Sequence, residues 1–367
     1  MSSSAPPAGS PLALVRPEIL QLVPYDHAAW EPSLVRLHAN ELPWRPSSDV
    51  TAAGLNRYPE PQPQELVQRL AALYEIAPRA LLVGRGSDEG IDLLTRAFCR
   101  AGHDSVIVCP PTFGMYAVAA RIQGAEVIRV PLAAERGFAL DASAILERCT
   151  PAVKLVFVCS PNNPTANLLD ETRLLQLASQ LAGRALLVID EAYVEFSGAP
   201  SLARHVDEYS HLVVLRTLSK AHGLAGARCG TTIAAPEIIA TLRKIIPPYA
   251  LTQLTIETVL SALQPAALAA TQERLRTLRA ERERVTMALR TSRAVKRIWP
   301  SDANFVLVEF LDATAAFNRV RAAGLLVRDV RSQPGLGDAL RITIGTPEQN
   351  ERLLAALDCL PARAAAR

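Results

Sequence analysis

The chain has 367 residues, of which 49% are hydrophobic and 20% charged. This composition is typical of a soluble globular protein, and the length is sufficient for two domains. The 39 basic and 36 acidic residues leave a formal net charge of +3, a balance that does not favour binding to nucleic acid or to an anionic membrane.

The order of predicted elements divides the chain into an N-terminal arm (residues 1–45), a large domain (46–265) and a small domain (266–367). About the first 15 residues are rich in Ser, Ala and Pro and are expected to be a disordered tail. They lack the basic and apolar regions of a secretory signal. No run of the chain approaches the ~18 apolar residues of a membrane helix.

The arm carries Tyr25, two tryptophans (Trp30 and Trp44) and Asn40, which stands in a predicted turn. Beyond it, Tyr58 precedes a proline in an extended stretch, since proline disfavours a helical conformation in the residue before it. This tyrosine either packs locally or reaches into a site.

From Pro63 onward the chain alternates helices and strands. Helices are predicted over 64–74, 91–98, up to 123, 141–148 and 170–181, and strands over 80–83, 105–109, 125–130, 153–159, 185–190, 211–216 and 229–234. Such alternation predicts an α/β fold, with a mainly parallel sheet covered by helices.

After Pro236 the pattern changes to helices over 237–246 and 252–263 and a long charged helix over 266–292. A smaller α+β domain follows, in the order β-β-α-β-β-α: 295–299, 304–310, 313–323, 325–329, 339–345 and 347–360. Arg328 and Arg341 fall on two of its strands, where each either forms a structural ion pair or faces a ligand.

Polar groups follow three consecutive predicted strands of the large domain: Asn163, the pair Asp190 and Tyr193, and the pair Ser219 and Lys220. The carboxyl ends of parallel strands meet at one edge of a sheet, where ligands bind. A lysine held there is a candidate for a Schiff base with a carbonyl cofactor, which needs an acidic partner at its ring nitrogen.

Two loops add candidate groups. In the first, glycines surround Ser87 and Asp88, either of which could cap the next helix. The loop is either an anion site formed by backbone N–H groups or an ordinary capped turn. In the second, Phe113 either stacks on a flat ring or belongs to the core.

Four motifs occur in the order found in pyridoxal-phosphate-dependent aminotransferases of fold type I, which the chain resembles. They are Ser160–Thr165, Ile189–Tyr193, Thr217–Lys220 and Gly223–Arg228. Within that superfamily the sequence most closely resembles the histidinol-phosphate aminotransferases, over roughly residues 16–360. The narrower resemblance rests on His38–Glu41, Arg57–Pro61, Gly84–Glu89, Pro110–Tyr116 and Leu340–Thr343.

The resemblance implies pyridoxal 5′-phosphate as cofactor and assigns roles around it. Lys220 would bind it covalently and act as general base, Asp190 would pair with the ring nitrogen, and Asn163 and Tyr193 would bond the ring oxygen. The phosphate would be held by Ser87, Asp88, Ser219 and Arg228, with Phe113 over the ring. Arginine suits this task because its fork matches phosphate oxygens.

The resemblance further implies exchange of an amino group between L-histidinol phosphate and 2-oxoglutarate, in histidine biosynthesis. The substrate-side residues would be Tyr25, Asn40, Tyr58, Arg328 and Arg341, with Tyr58 supplied by the neighbouring subunit of a homodimer. An aromatic amino acid aminotransferase or a threonine-phosphate decarboxylase on the same scaffold remains an alternative. A non-catalytic regulator on this fold is disfavoured, since no helix-turn-helix pattern precedes the first strand.

Three positions depart from the family pattern: Phe113 stands where tyrosine is common, Ala166 where glycine is usual, and His222 where phenylalanine is usual. None removes a group that the chemistry requires, so we expect activity. The six cysteines form no C-x-x-C pair and the histidines no ligand spacing. We therefore expect reduced, buried thiols, a cytoplasmic protein and no metal site.

Overall fold

The computed structural model describes residues 7, 9–27, 31 and 33–358. Trp30, Cys359 and the predicted end of the last helix at residue 360 lie outside this part of the chain. Within it, no helix combines the length and apolar character needed to cross a membrane.

Twelve α-helices and eleven strands are formed by the described residues. The helices are α1 Pro17–Leu20, α2 Gln64–Leu73, α3 Ser87–Phe98, α4 Met115–Gln123, α5 Ala142–Arg148, α6 Glu171–Leu181, α7 Val194–Ser197, α8 Pro236–Arg243, α9 Gln253–Ala262, α10 Pro265–Thr291, α11 Ala313–Ala322 and α12 Pro347–Asp358. The strands are β1 Leu81–Gly84, β2 Ser105–Val108, β3 Glu126–Arg129, β4 Val153–Cys159, β5 Leu186–Asp190, β6 Leu212–Thr217, β7 Gly230–Ala234, β8 Val295–Ile298, β9 Phe305–Phe310, β10 Arg328–Asp329 and β11 Ala339–Thr343.

The large sheet has seven strands in the order β1-β7-β6-β5-β4-β2-β3. Strands β2 to β6 pair in parallel, and only β7 runs antiparallel to its neighbours β1 and β6. The predicted α/β fold with a mainly parallel sheet is therefore confirmed. Because β4, β5 and β6 are adjacent and parallel, their carboxyl ends share one edge.

Both faces of this sheet are buried, which explains why its central strands are almost continuously apolar. Alternate residues of β5 enter two different cores: Leu187 and Ile189 lie in one, Leu186 and Val188 in the other, and all four are fully buried. Helices cover each face, for example α6 through Leu177 and α3 through Phe98. Burial of each such side chain contributes about 1.5–3 kcal/mol.

A second, four-stranded antiparallel sheet has the order β10-β11-β9-β8. Its core includes Val306, Val308 and Phe310 of β9 with Val285 and Leu289 of α10. The predicted β-β-α-β-β-α order is present, but the strand expected over 325–329 is only Arg328–Asp329. Both residues are exposed at the edge of the sheet, where no second neighbouring strand extends the pairing.

The start of the chain differs from the expected disordered tail. Pro11–Leu14 form a 3-10 helix that Ser10 caps by accepting a hydrogen bond from the Leu12 N–H. Leu14 and Val15 are buried against the core on one face of the large sheet. The prediction of disorder was therefore wrong for residues 11–15. It considered only the Ser-, Ala- and Pro-rich composition, whereas burial of the Leu14 and Val15 side chains stabilises an ordered conformation.

Candidate active site

A cavity opens at the carboxyl edge of β4, β5 and β6, with about 570 Å³ of empty space when its solvent-filled mouth is included. It is lined by all nine residues predicted to bind the cofactor: Ser87, Asp88, Phe113, Asn163, Asp190, Tyr193, Ser219, Lys220 and Arg228. Gly86, Cys159, Ala192, Thr217 and Ala225 complete the wall. The residues of the predicted polar edge thus line one cavity, to which segments that are distant in the sequence contribute.

The loop before α3 and the first turn of that helix contribute Gly86, Ser87 and Asp88 to the cavity wall. Gly86 has φ +86°, the left-handed region that glycine adopts without strain. A Cβ at Gly230 would lie 2.6 Å from the Gly86 backbone, so β7 can approach this loop only with glycine there. The cap of α3 is Gly86 rather than Ser87 or Asp88, which form its first turn. Their N–H groups have no partner within the helix and favour an anion there.

Arg228 approaches the same helix end. Its Nη2 atom lies 3.3 Å from Asp88 Oδ2, and its Nη1 atom donates to the Ala225 carbonyl at 3.1 Å. The residue has φ +55°, a conformation that costs a non-glycine residue about 1–2 kcal/mol. A guanidinium beside free N–H groups at a helix start is suited to a phosphate group.

Asp190 ends β5 and is 3% exposed. Its Oδ1 accepts a hydrogen bond from the Ala192 N–H (3.1 Å) and its Oδ2 accepts one from the Tyr116 hydroxyl (2.8 Å). Burial raises the pKa of the Asp190 carboxyl to about 6, although both hydrogen bonds act in the opposite direction. Among the described residues, no cationic group forms an ion pair with it. A buried carboxylate at a cavity wall without a counter-ion is suited to a cationic ligand atom.

Lys220 follows β6 in a loop that hydrogen bonds hold in place. The Ser219 N–H donates to Thr217 Oγ1 at 3.2 Å, and the Gly223 N–H donates to the Lys220 carbonyl at 3.1 Å. Lys220 Nζ lies 5.8 Å from the centre of the Tyr193 ring. Lys220 thus lines the cavity, and its amine has no carboxylate partner in the described part of the chain.

Arg341 connects the small sheet to this site. Its Nη1 atom donates to Asn163 Oδ1, and its guanidinium carbon lies 5.2 Å from the centre of the Phe305 ring. Partial burial lowers the pKa of Arg341; Tyr193 acts against this change and Arg328 adds to it. Arg328 and Arg341 are paired in the register of β10 and β11. Neither forms an ion pair with a described carboxylate, so two guanidinium charges remain for an anion.

None of the five predicted substrate-side residues lines the cavity of this chain, as far as the structure describes it: Tyr25, Asn40, Tyr58, Arg328 and Arg341. Arg341 is linked to the cavity through its hydrogen bond to Asn163, which does line it. Tyr58 stacks on Tyr249, with ring centres 4.5 Å apart, and its N–H donates to Glu41 Oε1 at 2.7 Å. Tyr25 and Asn40 are exposed. The substrate roles of these residues remain predictions.

The structure also places the three departures from the family pattern. Phe113 lines the cavity, as its resemblance role requires. Ala166 has φ +65°, the conformation that explains why glycine is usual there. The Nδ1 atom of His222 is buried, near the charged groups of Glu195 and Arg216, and burial lowers the pKa of its imidazole. His222 is not among the residues that line the cavity, which favours the interpretation of a packed loop residue.

Sequence reasoning missed the role of Tyr116. This tyrosine is fully buried and its ring stacks on Phe157 with centres 5.0 Å apart and planes at 2°. A buried tyrosine needs a partner for its hydroxyl, and that rule could have signalled a nearby acceptor but not which one. Tyr116 ends the Pro110–Tyr116 motif, in which nothing indicates the partner of its hydroxyl.

The chain is similar in sequence to known proteins. The family model for aminotransferases of class I and II matches residues 35–357. A histidinol-phosphate aminotransferase of Stenotrophomonas maltophilia is 50% identical over 357 residues, which cover 96% of this chain and 98% of that protein. One of Xylella fastidiosa is 51% identical over 323 residues, or 88% of each.

Solved structures share the fold. The histidinol-phosphate aminotransferase of Sinorhizobium meliloti in complex with pyridoxal-5′-phosphate superposes with a TM-score of 0.74 at 25% identity, covering 83% of this chain and 82% of that one. L-threonine-O-3-phosphate decarboxylase of Porphyromonas gingivalis superposes with a TM-score of 0.71 at 26% identity, covering 83% and 90%.

Proposed function

This chain belongs to the aminotransferases of class I and II, and we propose that it exchanges an amino group between L-histidinol phosphate and 2-oxoglutarate. The products are imidazole-acetol phosphate and L-glutamate, and the reaction is a step of L-histidine biosynthesis. The observation that carries the proposal is the identity of about half of all aligned residues to histidinol-phosphate aminotransferases over nearly the full chain.

The cavity fits pyridoxal 5′-phosphate, the cofactor of this enzyme class. It offers a buried carboxylate without a counter-ion (Asp190), a primary amine (Lys220) and an anion site at the start of α3 with Arg228. When bound, the cofactor supplies an electron sink for the carbon that loses its proton. Asp190 would pair with the protonated ring nitrogen, and Phe113 would cover one face of the ring.

Side chains of this chain would transfer the protons of the reaction and donate hydrogen bonds to the cofactor. Lys220 Nζ would hold the cofactor covalently and, once displaced by the substrate amine, carry the proton taken from the substrate carbon. Burial raises the pKa of the Tyr193 hydroxyl, so this group stays protonated and can donate a hydrogen bond. With Asn163 it would bind the oxygen substituent of the ring. Ser87, Asp88 and Ser219 would complete the phosphate site with Arg228.

The substrate carries an anion in each half-reaction: a phosphate in histidinol phosphate and carboxylates in 2-oxoglutarate. Arg341 forms no ion pair with a described carboxylate, and it bonds Asn163, which lines the cavity. Arg328, its register partner, adds a second charge. Because a guanidinium binds both phosphate and carboxylate in a bidentate manner, one pair can serve both substrates.

A homodimer would complete the site. The segment 22–58 exposes many large apolar side chains: Leu22, Val23, Tyr25, Leu34, Val35, Leu37, Leu42, Trp44, Val50, Leu55 and Tyr58. Such a concentration is typical of an interaction surface. In our proposal this surface packs on a second copy, Tyr58 reaches the neighbouring cavity, and Tyr25 and Asn40 approach the substrate there.

Two other enzymes on this scaffold serve as alternatives. The likeness to threonine-phosphate decarboxylase supports that activity at 26% identity, and an aromatic amino acid aminotransferase would keep the same cofactor residues. The relatives at about 50% identity favour histidinol phosphate over both. We place the protein in the cytoplasm, an assignment supported by the five described cysteines, which are free and buried.

The experiment is a substrate panel on the cofactor-loaded protein. We expect histidinol phosphate to be the best amino donor, with glutamate formed from 2-oxoglutarate. Lys220→Ala should abolish both turnover and the absorbance of the lysine-bound cofactor, whereas Lys296→Ala, which removes an exposed partner of Glu309, should preserve them. Carbon dioxide release from threonine phosphate, or turnover without Lys220, would reject the proposal.

A further inference from the structure

Each oxygen of the Asp190 carboxylate has one hydrogen-bond donor. Oδ1 is bonded by the Ala192 N–H, two residues further along the chain, and Oδ2 by the hydroxyl of Tyr116, which lies 74 residues earlier. A carboxylate held by two donors on different elements has a fixed plane and a preference for the ionised form.

Tyr116 is itself rigidly held at the start of α4. Its side chain is fully buried, stacks on Phe157 of β4, and meets the edge of Phe113 with centres 5.6 Å apart and planes at 82°. Because the ring cannot turn aside, its hydroxyl has a fixed place from which to reach Asp190. Burial and the adjacent carboxylate both raise the pKa of Tyr116, so its hydroxyl keeps the proton that it donates.

We propose that Tyr116 is a positioning residue, which keeps the Asp190 carboxylate ionised and oriented toward the ring nitrogen of the cofactor. The inference rests on the proposed function, in which Asp190 pairs with that nitrogen. Phe113 connects Tyr116 to the cofactor site, because it lines the cavity and also contacts the ring of Tyr116.

Other groups around Asp190 do not replace this contribution. Asp88, from α3, opposes its ionisation, and Lys220, from the loop after β6, favours it. Cys159 of β4 is fully buried, and burial raises the pKa of its thiol, so it adds no charge. Of the described side chains, only Tyr116 donates a hydrogen bond to this carboxylate.

The test is cofactor affinity of the apoprotein as a function of pH, with pyridoxamine 5′-phosphate as the probe because it cannot react with Lys220. Tyr116→Phe keeps the stacked ring and removes the hydroxyl. We expect affinity at neutral pH to fall by about tenfold, the value of a hydrogen bond to a charged group. The bend in log Kd against pH, which reports Asp190 ionisation, should move to higher pH.

Two comparisons separate positioning from general loss of structure. Tyr74→Phe removes another buried tyrosine hydroxyl, beneath Arg216 and outside the cavity, and should leave both affinity and bend unchanged. In an Asp190→Asn background, Tyr116→Phe should cause little further loss, because it acts through the missing carboxylate.

The outcomes also distinguish this inference from the function on which it depends. Failure of the unaltered protein to bind the probe overturns the cofactor assignment. Normal binding with an unmoved bend in Tyr116→Phe, or an equal loss with and without the Asp190 carboxylate, overturns the positioning role alone.

Discussion

The guanidinium of Arg341, on the small sheet, donates a hydrogen bond to the side-chain oxygen of Asn163, at the end of β4 in the large sheet. This bond places a cation next to a residue that we assign to the cofactor. Since no described carboxylate neutralises Arg341, its charge remains for a substrate anion. The contact therefore connects the predicted substrate side of the site to its cofactor side.

Replacing Arg341 should weaken both half-reactions. We expect Arg341→Ala to lower kcat/KM for histidinol phosphate and for 2-oxoglutarate by about 100-fold, since a buried charge-assisted hydrogen bond to substrate contributes about 1.5–3 kcal/mol. Arg341→Lys should recover part of this loss, because it restores the charge but not the fork. Steady-state kinetics with each substrate varied in turn measures the effect.

Arg297 provides the matched control. It lies on β8 of the same sheet, exposed, with its guanidinium carbon 4.7 Å from the centre of the Trp299 ring. Arg297→Ala removes a charge from the same sheet but not a contact with Asn163, and should change kcat/KM little. Equal losses from both substitutions would contradict a specific role for Arg341.

The parts of the site that could be predicted from sequence are the functional side chains that stand at or just after the end of a predicted strand. Asp190 ends an apolar strand, and Asn163 and Lys220 follow the ends of two others. Parallel pairing alone brings these strand ends together. Lys220 and Asp190 line one cavity, as expected from their motifs. No long-range information was needed beyond the order of the strands.

The parts that could not be predicted depend on contacts between distant segments. The Tyr116–Asp190 bond spans 74 residues and the Arg341–Asn163 bond spans 178. Nothing in the local pattern of either arginine or tyrosine distinguishes it from a core or ion-paired residue. The residue pattern also predicted the wrong cap for α3. Serine is a common cap, whereas here the cap has a backbone φ of +86°, which favours glycine, and is Gly86.

The buried charge of Asp190 should make the apoprotein less stable above pH 6. Its folded-state pKa of about 6 lies above the ordinary value of 3.8, so the penalty is fully present above pH 6 and disappears as the pH falls toward 3.8. We expect Asp190→Asn to stabilise the apoprotein at pH 8 by up to about 3 kcal/mol, while abolishing tight cofactor binding. Urea unfolding midpoints at pH 8 and pH 5 measure this.

Asp104 should behave in the opposite way. It is equally buried, but its Oδ2 atom accepts hydrogen bonds from the Arg100 N–H at 2.7 Å and from Arg100 Nε at 2.9 Å. Burial alone would raise the pKa of Asp104, yet these bonds and Lys154 lower it. Its contribution is present above the unfolded pKa, so Asp104→Asn should lower the midpoint at pH 8. If both variants shifted the unfolding midpoint at pH 8 in the same direction, this explanation would be contradicted.

The described cysteines should resist alkylation in the folded protein. Burial raises the pKa values of Cys99, Cys109 and Cys229 to about 12, and also raises those of Cys149 and Cys159. Thiolates are the reactive form. In a Cys359→Ser variant, we expect labelling by iodoacetamide at least about 100-fold slower in buffer than in urea. Mass spectrometry locates any label, and fast native labelling of a described cysteine would refute their burial.

Complementation between two inactive variants can decide whether Tyr58 acts in the neighbouring subunit. Tyr58 stacks on Tyr249 of its own chain and is not among the residues that line the cavity of that chain. Tyr58→Ala retains Lys220, and Lys220→Ala retains Tyr58. If Tyr58 crosses the interface, a mixed dimer contains one site with both groups intact.

We therefore expect each variant to be nearly inactive alone and an equal mixture, unfolded and refolded together, to regain about a quarter of the unaltered activity, since half of the dimers are mixed and each has one working site. Refolding the variants separately before mixing provides the control, because subunits that have not exchanged cannot complement. An equal mixture that stays inactive while unaltered protein regains activity by the same procedure would place Tyr58 in its own subunit's site. Full activity of Tyr58→Ala alone would place it outside catalysis. Recovery of activity would instead require a tyrosine from one chain and a lysine from the other to meet at one cavity.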